Sequence, residues 1–467
     1  MKIQFCGAAR TVTGSSHLIL LNDGFKILLD CGLFQGRDAY DDDNNLKFHF
    51  RPDEINVLVL SHAHIDHAGR IPKLVKEGFS GRIICTSATK DLSTIMLADS
   101  AHIQEKDTQY ENKKRARHHL EPFQPLYTVD DAERALNQFD AIDYEQWFTI
   151  KDGVQVLLRD NGHILGSGSV ALKIQEGERE IKVSFTGDIG RPARPILKDP
   201  AQMDDADIVI SESTYGGRLN ESFPDDKEHF YKVINETCIQ RGGKIIIPAF
   251  SIGRTQEIVY MLDQLHHERN LDRIPVFVDS PLSTNATGIY RNHPECFDEE
   301  IGNYIKTDSN PFGFNNLEYI TEVEKSKELN FREGPAIIIS ASGMAEAGRV
   351  VHHIKNNISN PNNTILFVGY CAERTLGARI RNGEKNLKLF GEELAVKAHI
   401  EIMDSFSAHG DQKEMLDFLD NQNRTALQRL YLVHGNYEEG QLPFKKKLEE
   451  RGFRNIIIPE KGMIETI

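Results

Sequence analysis

An apolar run, Ile55–Leu60, leads straight into Ser61-His62-Ala63-His64-Ile65-Asp66-His67, where His62, His64, Asp66 and His67 put four metal-ligand types into six positions. A packed core has no use for imidazoles and a carboxylate at this density, because every buried polar group needs a partner. The run reads as a short buried strand, so the cluster leaves its C-terminal end and enters a turn. His62 and His64 are two residues apart, and in extended chain side chains at that spacing point the same way. Asp66 and His67 are expected to open the helix that carries Leu74 and Val75, facing a second position close by. One segment thus offers donors to two adjacent cations, the pattern of a binuclear hydrolase.

At 467 residues the chain has room for two domains with a core in each. An apolar fraction of 39% and a charged fraction of 27% are those of an ordinary globular protein. No apolar stretch approaches the roughly 20 residues of a membrane-spanning helix. The start, Lys2-Ile3-Gln4-Phe5, reads as a strand and not as a secretory signal. The six cysteines lie far apart without a Cys-x-x-Cys, which speaks against a disulfide framework and a thiolate zinc site. A reducing cytoplasm is the expected compartment. The net charge of −15 weighs against a nucleic-acid substrate, since phosphate binding usually leaves a basic footprint. Two dications at the chemistry itself would offset that, and a groove can be locally basic on an acidic body.

Residues 1–207 show short strands separated by turn signals: Leu18–Leu21, the turn Asn22-Asp23-Gly24, Lys26–Asp30, and later Val154–Leu158 and Lys182–Phe185. Between them, roughly 88–145 reads as helical and charged. Its run Lys113-Lys114-Arg115-Ala116-Arg117-His118-His119 is most simply a solvated helix face. From 208 the apolar runs Ile208–Ile210, Lys244–Ile247, Val276–Val278, Ala336–Ile339 and Ile365–Val368 alternate with helix-like segments such as Thr255–Leu265. That alternation predicts a parallel sheet covered on both faces. After 398, ligand types return in Phe406-Ser407-Ala408-His409 and Leu432-Val433-His434-Gly435. The expected organisation is one domain over 1–207, interrupted by a second over 208–397 and completed by 398–467.

A metal pair needs further donors and a shared anion. Asn161-Gly162-His163-Ile164-Leu165-Gly166 and Ser184-Phe185-Thr186-Gly187-Asp188 supply a histidine and a carboxylate just after predicted strands. A bridging aspartate offsets the repulsion between two close dications. His434 ends the run Leu430–Val433 and completes the second cation. Singly, such a histidine is more often a hydrogen-bonded bystander, and Asp188 could be a turn residue before Gly190. Jointly they are informative, because each follows a strand, where layered α/β folds gather reactive groups. An imidazole-rich set with two carboxylates and no thiolate favours zinc, with manganese allowed.

These residues carry a resemblance. Asp30 in Leu28-Leu29-Asp30-Cys31-Gly32, the cluster His62–His67, His163 and Asp188 resemble motifs one to four of the metallo-β-lactamase superfamily. The interrupted architecture resembles its β-CASP branch, the nucleases that include RNase J and the endonuclease of the pre-mRNA 3′-end cleavage complex. Ser211-Glu212-Ser213-Thr214-Tyr215-Gly216 is similar to that branch's motif A, Phe406-Ser407-Ala408-His409 to motif B and Val433-His434-Gly435 to motif C. Pro248–Arg254, Ser340–Met344 and Phe367–Tyr370 are similar as well. The fold class implied is α/β, a metallo-β-lactamase αββα sandwich interrupted by a β-CASP domain with a parallel sheet flanked by helices. The resemblance assigns His62, His64 and His163 to one zinc, Asp66, His67 and His434 to the other, and makes Asp188 the bridge. Asp30 is expected to orient the ligand loop. Asn436 departs from the pattern, which often has Glu there, so a supporting contact is expected to differ.

The function implied is a zinc-dependent ribonuclease, mainly endonucleolytic on single-stranded RNA, with its site between the two domains and products ending in 3′-hydroxyl and 5′-phosphate. The lack of an RNase J-like C-terminal extension argues against processive 5′-exonuclease action. Asp66, Glu212 and His409 are the expected catalytic residues. His409 would give the leaving oxygen its proton, and Glu212 would orient it and raise its pKa. Asp411 followed by Glu414 predicts a capped helix start that places His409 on a short loop. Arg254, Ser342 and Arg349 are candidates for substrate contact, and Tyr215 and Tyr370 for base stacking. RNA is the expected partner, a homo-oligomer is left open, and no membrane is expected. The alternatives are a hydrolase of small esters or thioesters and a non-catalytic RNA-processing subunit.

Overall fold

The computed structural model of the protein describes residues 1–39, 44–220 and 226–467. It divides into two compact units, Met1–Leu219 with His409–Ile467, and Asn220–Ala408.

The first unit holds two seven-stranded sheets. One runs from Ile464–Thr466 through Lys2–Gly7, Ser16–Leu20, Lys26–Leu29, Val57–Val59 and Arg82–Cys85 to Phe139–Ala141. The other runs from Ile456–Ile457 through Arg429–Leu432, Ile208–Ser211, Arg179–Phe185, Gly168–Glu176 and Val154–Asp160 to Phe148–Lys151. Alternation along the strands decides what each face buries. Ile27, Leu29, Val57 and Val59 meet Ile208, Ile210, Tyr431 and Val433 in the layer between the sheets. Leu28 and Leu58 turn the other way and pack with Leu74 and Leu97 of the helices outside the first sheet. Val209, Leu430 and Leu432 do the same outside the second, against Met415, Leu419, Phe444 and Leu448. The result is an αββα sandwich. Each fully buried aliphatic side chain contributes about 1.5–3 kcal/mol to it before conformational entropy is counted.

The second unit is built on a six-stranded sheet in the order Leu317–Ile320, Val276–Asp279, Ala336–Ser340, Lys244–Pro248, Thr364–Phe367, His399–Ile402. Every pairing in it is parallel. Its central strands are buried on both faces, which is why they read as continuous apolar runs.

Four elements differ from the sequence reading. Ile208–Ser211 is not the first strand of the inserted sheet. It pairs in parallel with Arg179–Phe185 and Arg429–Leu432 in the first unit. A doubly buried strand looks the same in either sheet, so its sequence did not carry its address. Conversely, His399–Ile402 closes the inserted sheet beside Thr364–Phe367. The helix expected from Asp66 through Val75 is two, Ile65–Ala68 and Ile71–Lys76, with Pro72 in the first turn of the second. Proline has no N–H to continue the ladder from the preceding turn. The stretch 88–145 resolves into Ser87–Arg117 and Val129–Leu136, and then into a strand, Phe139–Ala141. The basic run closes the first of these helices, where cations suit the helix dipole, and Lys113, Lys114 and Arg117 are exposed.

All six cysteines are free and buried. Among the described residues no helix is long and apolar enough to cross a membrane.

Candidate metal centre

Six strands of the first unit are each followed, at the C-terminal end, by one of the residues singled out above. Asp30 follows Lys26–Leu29, His62 follows Val57–Val59 and His163 follows Val154–Asp160. Asp188 follows Arg179–Phe185, Glu212 follows Ile208–Ser211 and His434 follows Arg429–Leu432. His64 is the N-cap of Ile65–Ala68, and that single turn of helix carries Asp66 and His67.

The carboxylate of Asp188, 2% exposed, lies between two donor groups. Its Oδ2 is 3.5 Å from Nε2 of His62 and 3.5 Å from Nε2 of His163. His64 Nδ1 stands 3.2 Å from each of those two nitrogens. Asp188 Oδ1 is 3.2 Å from Nε2 of His67 and 3.7 Å from Nε2 of His434. Asp66 Oδ2 lies 3.3 Å from that same His434 nitrogen. His62, His64, His163 and Asp188 therefore form one group that could hold a metal ion, and Asp66, His67 and His434 another.

The donors fit cations better than they fit one another. His67 and His434 face Nε2 to Nε2 at 3.0 Å, and Asp188 Oδ1 is buried without a well-aligned hydrogen bond. Lone pairs gathered around a buried anion are what a pair of dications would satisfy. Burial holds His62 and His163 well below the usual imidazole range and His64 down to about 4. They are thus kept in the neutral form that binds metal. His67 departs upward although burial opposes it, because Asp188 and Asp30 lie on either side. Burial also opposes ionisation of Asp188, but His434, His67 and His409 hold it well below the carboxylate range.

A layer of hydrogen bonds aims the ring nitrogens. Asp30 Oδ2 sits 2.7 Å from His67 Nδ1, and its Oδ1 accepts the Ser61 N–H at 2.8 Å. The Ser15 and Ser61 hydroxyls also donate to Oδ2, at 3.1 and 3.0 Å. Ser61 Oγ, its proton so used, lies 3.0 Å from His62 Nδ1 and is left to accept. Thr214 donates to the His434 carbonyl at 3.0 Å, so its Oγ1 accepts from His434 Nδ1 at 2.9 Å. In the neutral form of all three rings the lone pair is left on Nε2, toward Asp188. Asn161 ties the loops together by donating to the carbonyls of Thr186 and Asp188. Arg70, buried, donates to the carbonyls of Gly32 and Asn44 at 2.6 and 2.8 Å. A Cβ on Gly32 would fall 1.6 Å from the Asp66 carbonyl oxygen, so only glycine lets these segments meet. His434 holds φ at 50°, a conformation costing about 1–3 kcal/mol in a non-glycine residue. Its N–H to Ala8 at 2.7 Å and the Ser213 N–H to its carbonyl at 3.2 Å keep it there.

Ser15, Ser61, Thr214, Asn161 and Arg70 were not picked out as functional in the sequence. Apart from His62 beside Ser61, their partners in the bonds above lie at least 15 residues away along the chain.

His409 approaches from the segment that bridges to Gly190 and then enters Gln412–Leu419 through a capping box of Asp411 and Glu414. Its Nδ1 is 3.4 Å from Glu212 Oε2 and 3.9 Å from Asp188 Oδ2. Burial works against the imidazolium, yet Glu212 and then Asp188 push His409 up to about 10. Glu212 is fully buried, and its carboxylate also accepts the N–H groups of Ile189 and Thr214. The Tyr215 ring lies edge-on to His409 at 5.5 Å, with the Arg218 guanidinium 3.6 Å over Tyr215.

The remaining candidates lie in the second unit. Arg349 donates to Asp279 at 2.6 Å and to the carbonyls of Ile320 and Thr321. Arg254 is buried, pairs with Glu257 at 2.7 Å and lies over the Phe406 ring. Both guanidinium groups thus serve the unit's own packing, which their positions at helix starts did not reveal. Ser342 is partly exposed, with its hydroxyl 3.4 Å from the Ala347 carbonyl, and Tyr370 is exposed. In the first unit, Asn436 caps the turn after His434 by accepting from the N–H groups of Glu438 and Glu439 at 3.0 Å. The departure at that position therefore serves the backbone.

Three family models match the chain. Residues 9–232 match the metallo-beta-lactamase superfamily, 255–380 the Beta-Casp domain, and 393–459 a Zn-dependent metallo-hydrolase RNA specificity domain. Among similar proteins, Ribonuclease TTHA0252 of Thermus thermophilus is 35% identical, over 97% of this chain and 97% of its own. Transcription termination factor FttA of Methanosarcina mazei is 29% identical, over 98% of this chain and 71% of its own. Cleavage and polyadenylation specificity factor 73 of Drosophila melanogaster is 29% identical, over 94% of this chain and 60% of its own.

Proposed function

This chain belongs to the β-CASP branch of the metallo-β-lactamase superfamily, and from that premise we propose that it is a zinc-dependent ribonuclease. It hydrolyses phosphodiester bonds of single-stranded RNA, mainly as an endonuclease, in the cytoplasm. The observation that carries this reading is the division of Asp188 between two donor groups, one oxygen toward each.

Two zinc ions bound there would supply a water acidic enough to react near neutral pH and would neutralise the phosphodiester. The chain's own residues do the rest. His62, His64 and His163 would hold the first ion, Asp66, His67 and His434 the second, and Asp188 would be shared between them. Asp30, Ser61 and Thr214 keep the ligating nitrogens aimed. His409, held as an imidazolium by Glu212, passes its proton to the departing oxygen from Nε2, because Nδ1 faces the carboxylate. The similarity to a protein named as a ribonuclease, with the match to an RNA specificity domain, supports RNA as the substrate. Of the three substrate-contact candidates this reading keeps Ser342, since Arg254 and Arg349 are already engaged within their own unit.

The experiment is incubation with 5′-labelled and internally labelled RNA, with and without chelator. Internal cuts ending in 3′-hydroxyl and 5′-phosphate, abolished by chelator and restored by zinc, are expected. Cleavage indifferent to chelator refutes the assignment.

A further inference from the structure

The second unit carries its own cluster of donors. Helix Arg254–Arg269 places Asp263 and His267 four residues apart, hence on one face. Asp308 reaches them from the segment just past the helix Glu299–Tyr304. Asp263 is 0% exposed. Its Oδ2 accepts the Tyr304 hydroxyl at 2.7 Å, but its Oδ1 makes no hydrogen bond. That oxygen lies 4.0 Å from the His267 ring. His267 Nδ1 is 3.0 Å from the Asp263 carbonyl and donates there. The lone pair is thereby left on Nε2, 3.5 Å from Asp308 Oδ2. Each of the three residues offers a donor atom within 4.8 Å of the other two.

A buried carboxylate oxygen with nothing to accept, beside a second carboxylate, calls for a proton or a cation. Burial, and then Asp308, push Asp263 up to about 6 against the opposing bond from Tyr304. Among the described residues, His267 is the neighbouring side chain that can carry a counter-charge, and Asp308 shares that ring. Tyr304 cannot supply one, since it donates a neutral hydroxyl. One imidazolium carries a single positive charge and cannot neutralise two carboxylates.

We propose that Asp263, His267 and Asp308 form a further metal site that binds one zinc ion and staples helix Arg254–Arg269 to the segment carrying Asp308. One nitrogen and two carboxylate oxygens, with a water as the fourth donor, can complete a tetrahedral zinc set with bonds of about 2.0–2.2 Å. None of these residues belongs to the group around Asp188, so the site stands whether or not the chain cleaves RNA. Its work is structural: binding adds stability to the folded state by mass action.

The test is elemental analysis of zinc-reconstituted, desalted protein, comparing the parent with His267→Ala and Asp308→Asn. Asp263 is left intact because removing so buried a group risks the fold. His267 and Asp308 are partly exposed, with side-chain accessibilities of 53% and 22%. Each variant is expected to hold about one zinc fewer per chain, the result of losing a ligand from a three-residue site. The same difference is expected when the comparison is made in an Asp188→Ala background. RNA cleavage by the two variants is expected to match the parent, and added zinc to raise the melting temperature of the parent more than theirs. Equal zinc content in parent and both variants overturns the site and leaves Asp263 neutralised by a proton shared with Asp308.

Discussion

Two buried aspartates, one in each unit, stand at the C-terminal ends of strands and meet opposite surroundings. Asp279, at the end of Val276–Asp279, is 0% exposed and fully provided with protons. Arg349 donates to Oδ1 at 2.6 Å, while Ser326 and His353 reach Oδ2 at 2.5 and 2.7 Å. Asp188 is buried to nearly the same degree, yet it is ringed by imidazoles whose other nitrogens already donate elsewhere. Depth alone does not mark a site. What separates the two is the direction of the hydrogen bonds: around Asp279 the donors point inward, whereas around Asp188 it is lone pairs that converge. The first arrangement is complete as it stands, and the second is complete only with cations.

The largest effects should fall on these two residues and differ in kind. Asp188→Ala should abolish RNA cleavage while circular dichroism stays that of the parent. Asp279→Ala should instead cost the second unit about 3–5 kcal/mol in denaturant unfolding, because Arg349 and His353 lose their buried partner. If Asp188→Ala unfolds the chain, or Asp279→Ala leaves its stability intact, the contrast fails. Next in size is His409→Ala, for which turnover should fall by about 10²–10⁴-fold with zinc content retained. Loss of zinc in that variant would make His409 a ligand instead of a proton donor. Asp30→Ala should act on affinity, weakening zinc binding about 10–100-fold by freeing the His67 ring. Unchanged zinc affinity on competitive chelation would remove Asp30 from that role.

The smallest effect is a pH dependence. Burial works against it, but His353, Ser326 and Arg349 keep the Asp279 carboxyl below its usual range. A depressed folded-state pKa contributes stability above the unfolded value, near 3.9, and loses it as pH falls further. The stability deficit of Asp279→Asn should therefore be widest near neutral pH and narrow below about pH 4. A deficit independent of pH would show that the charge on Asp279 contributes nothing.

Much of the centre was legible because its signals are local. His62, His64, Asp66 and His67 lie within one short segment, and the other candidate ligands follow apolar runs that read as strands. Asp411 and Glu414 announced their capping box by spacing alone, and the box is present. Topology was less legible. Ile208–Ser211 has the composition of any doubly buried strand, so only its pairing with Arg179–Phe185 and Arg429–Leu432 locates it. Pro72 did hold the information that splits the helix after Ala68. Ser61 and Thr214 act on rings through single hydroxyls, and a hydroxyl leaves no pattern in sequence. The positions of Arg254 and Arg349 at helix starts suggested phosphate, whereas their actual partners, Glu257 and Asp279, depend on geometry that no spacing encodes.

Asp188 is proposed to join two cations through its two carboxylate oxygens. Electron paramagnetic resonance of the manganese-loaded protein tests it most directly, since two ions sharing Asp188 must be spin-coupled and an ion held elsewhere must not be. A coupled spectrum in the parent that collapses to isolated manganese in Asp188→Ala is the predicted result. A parent spectrum of isolated ions alone would contradict the account.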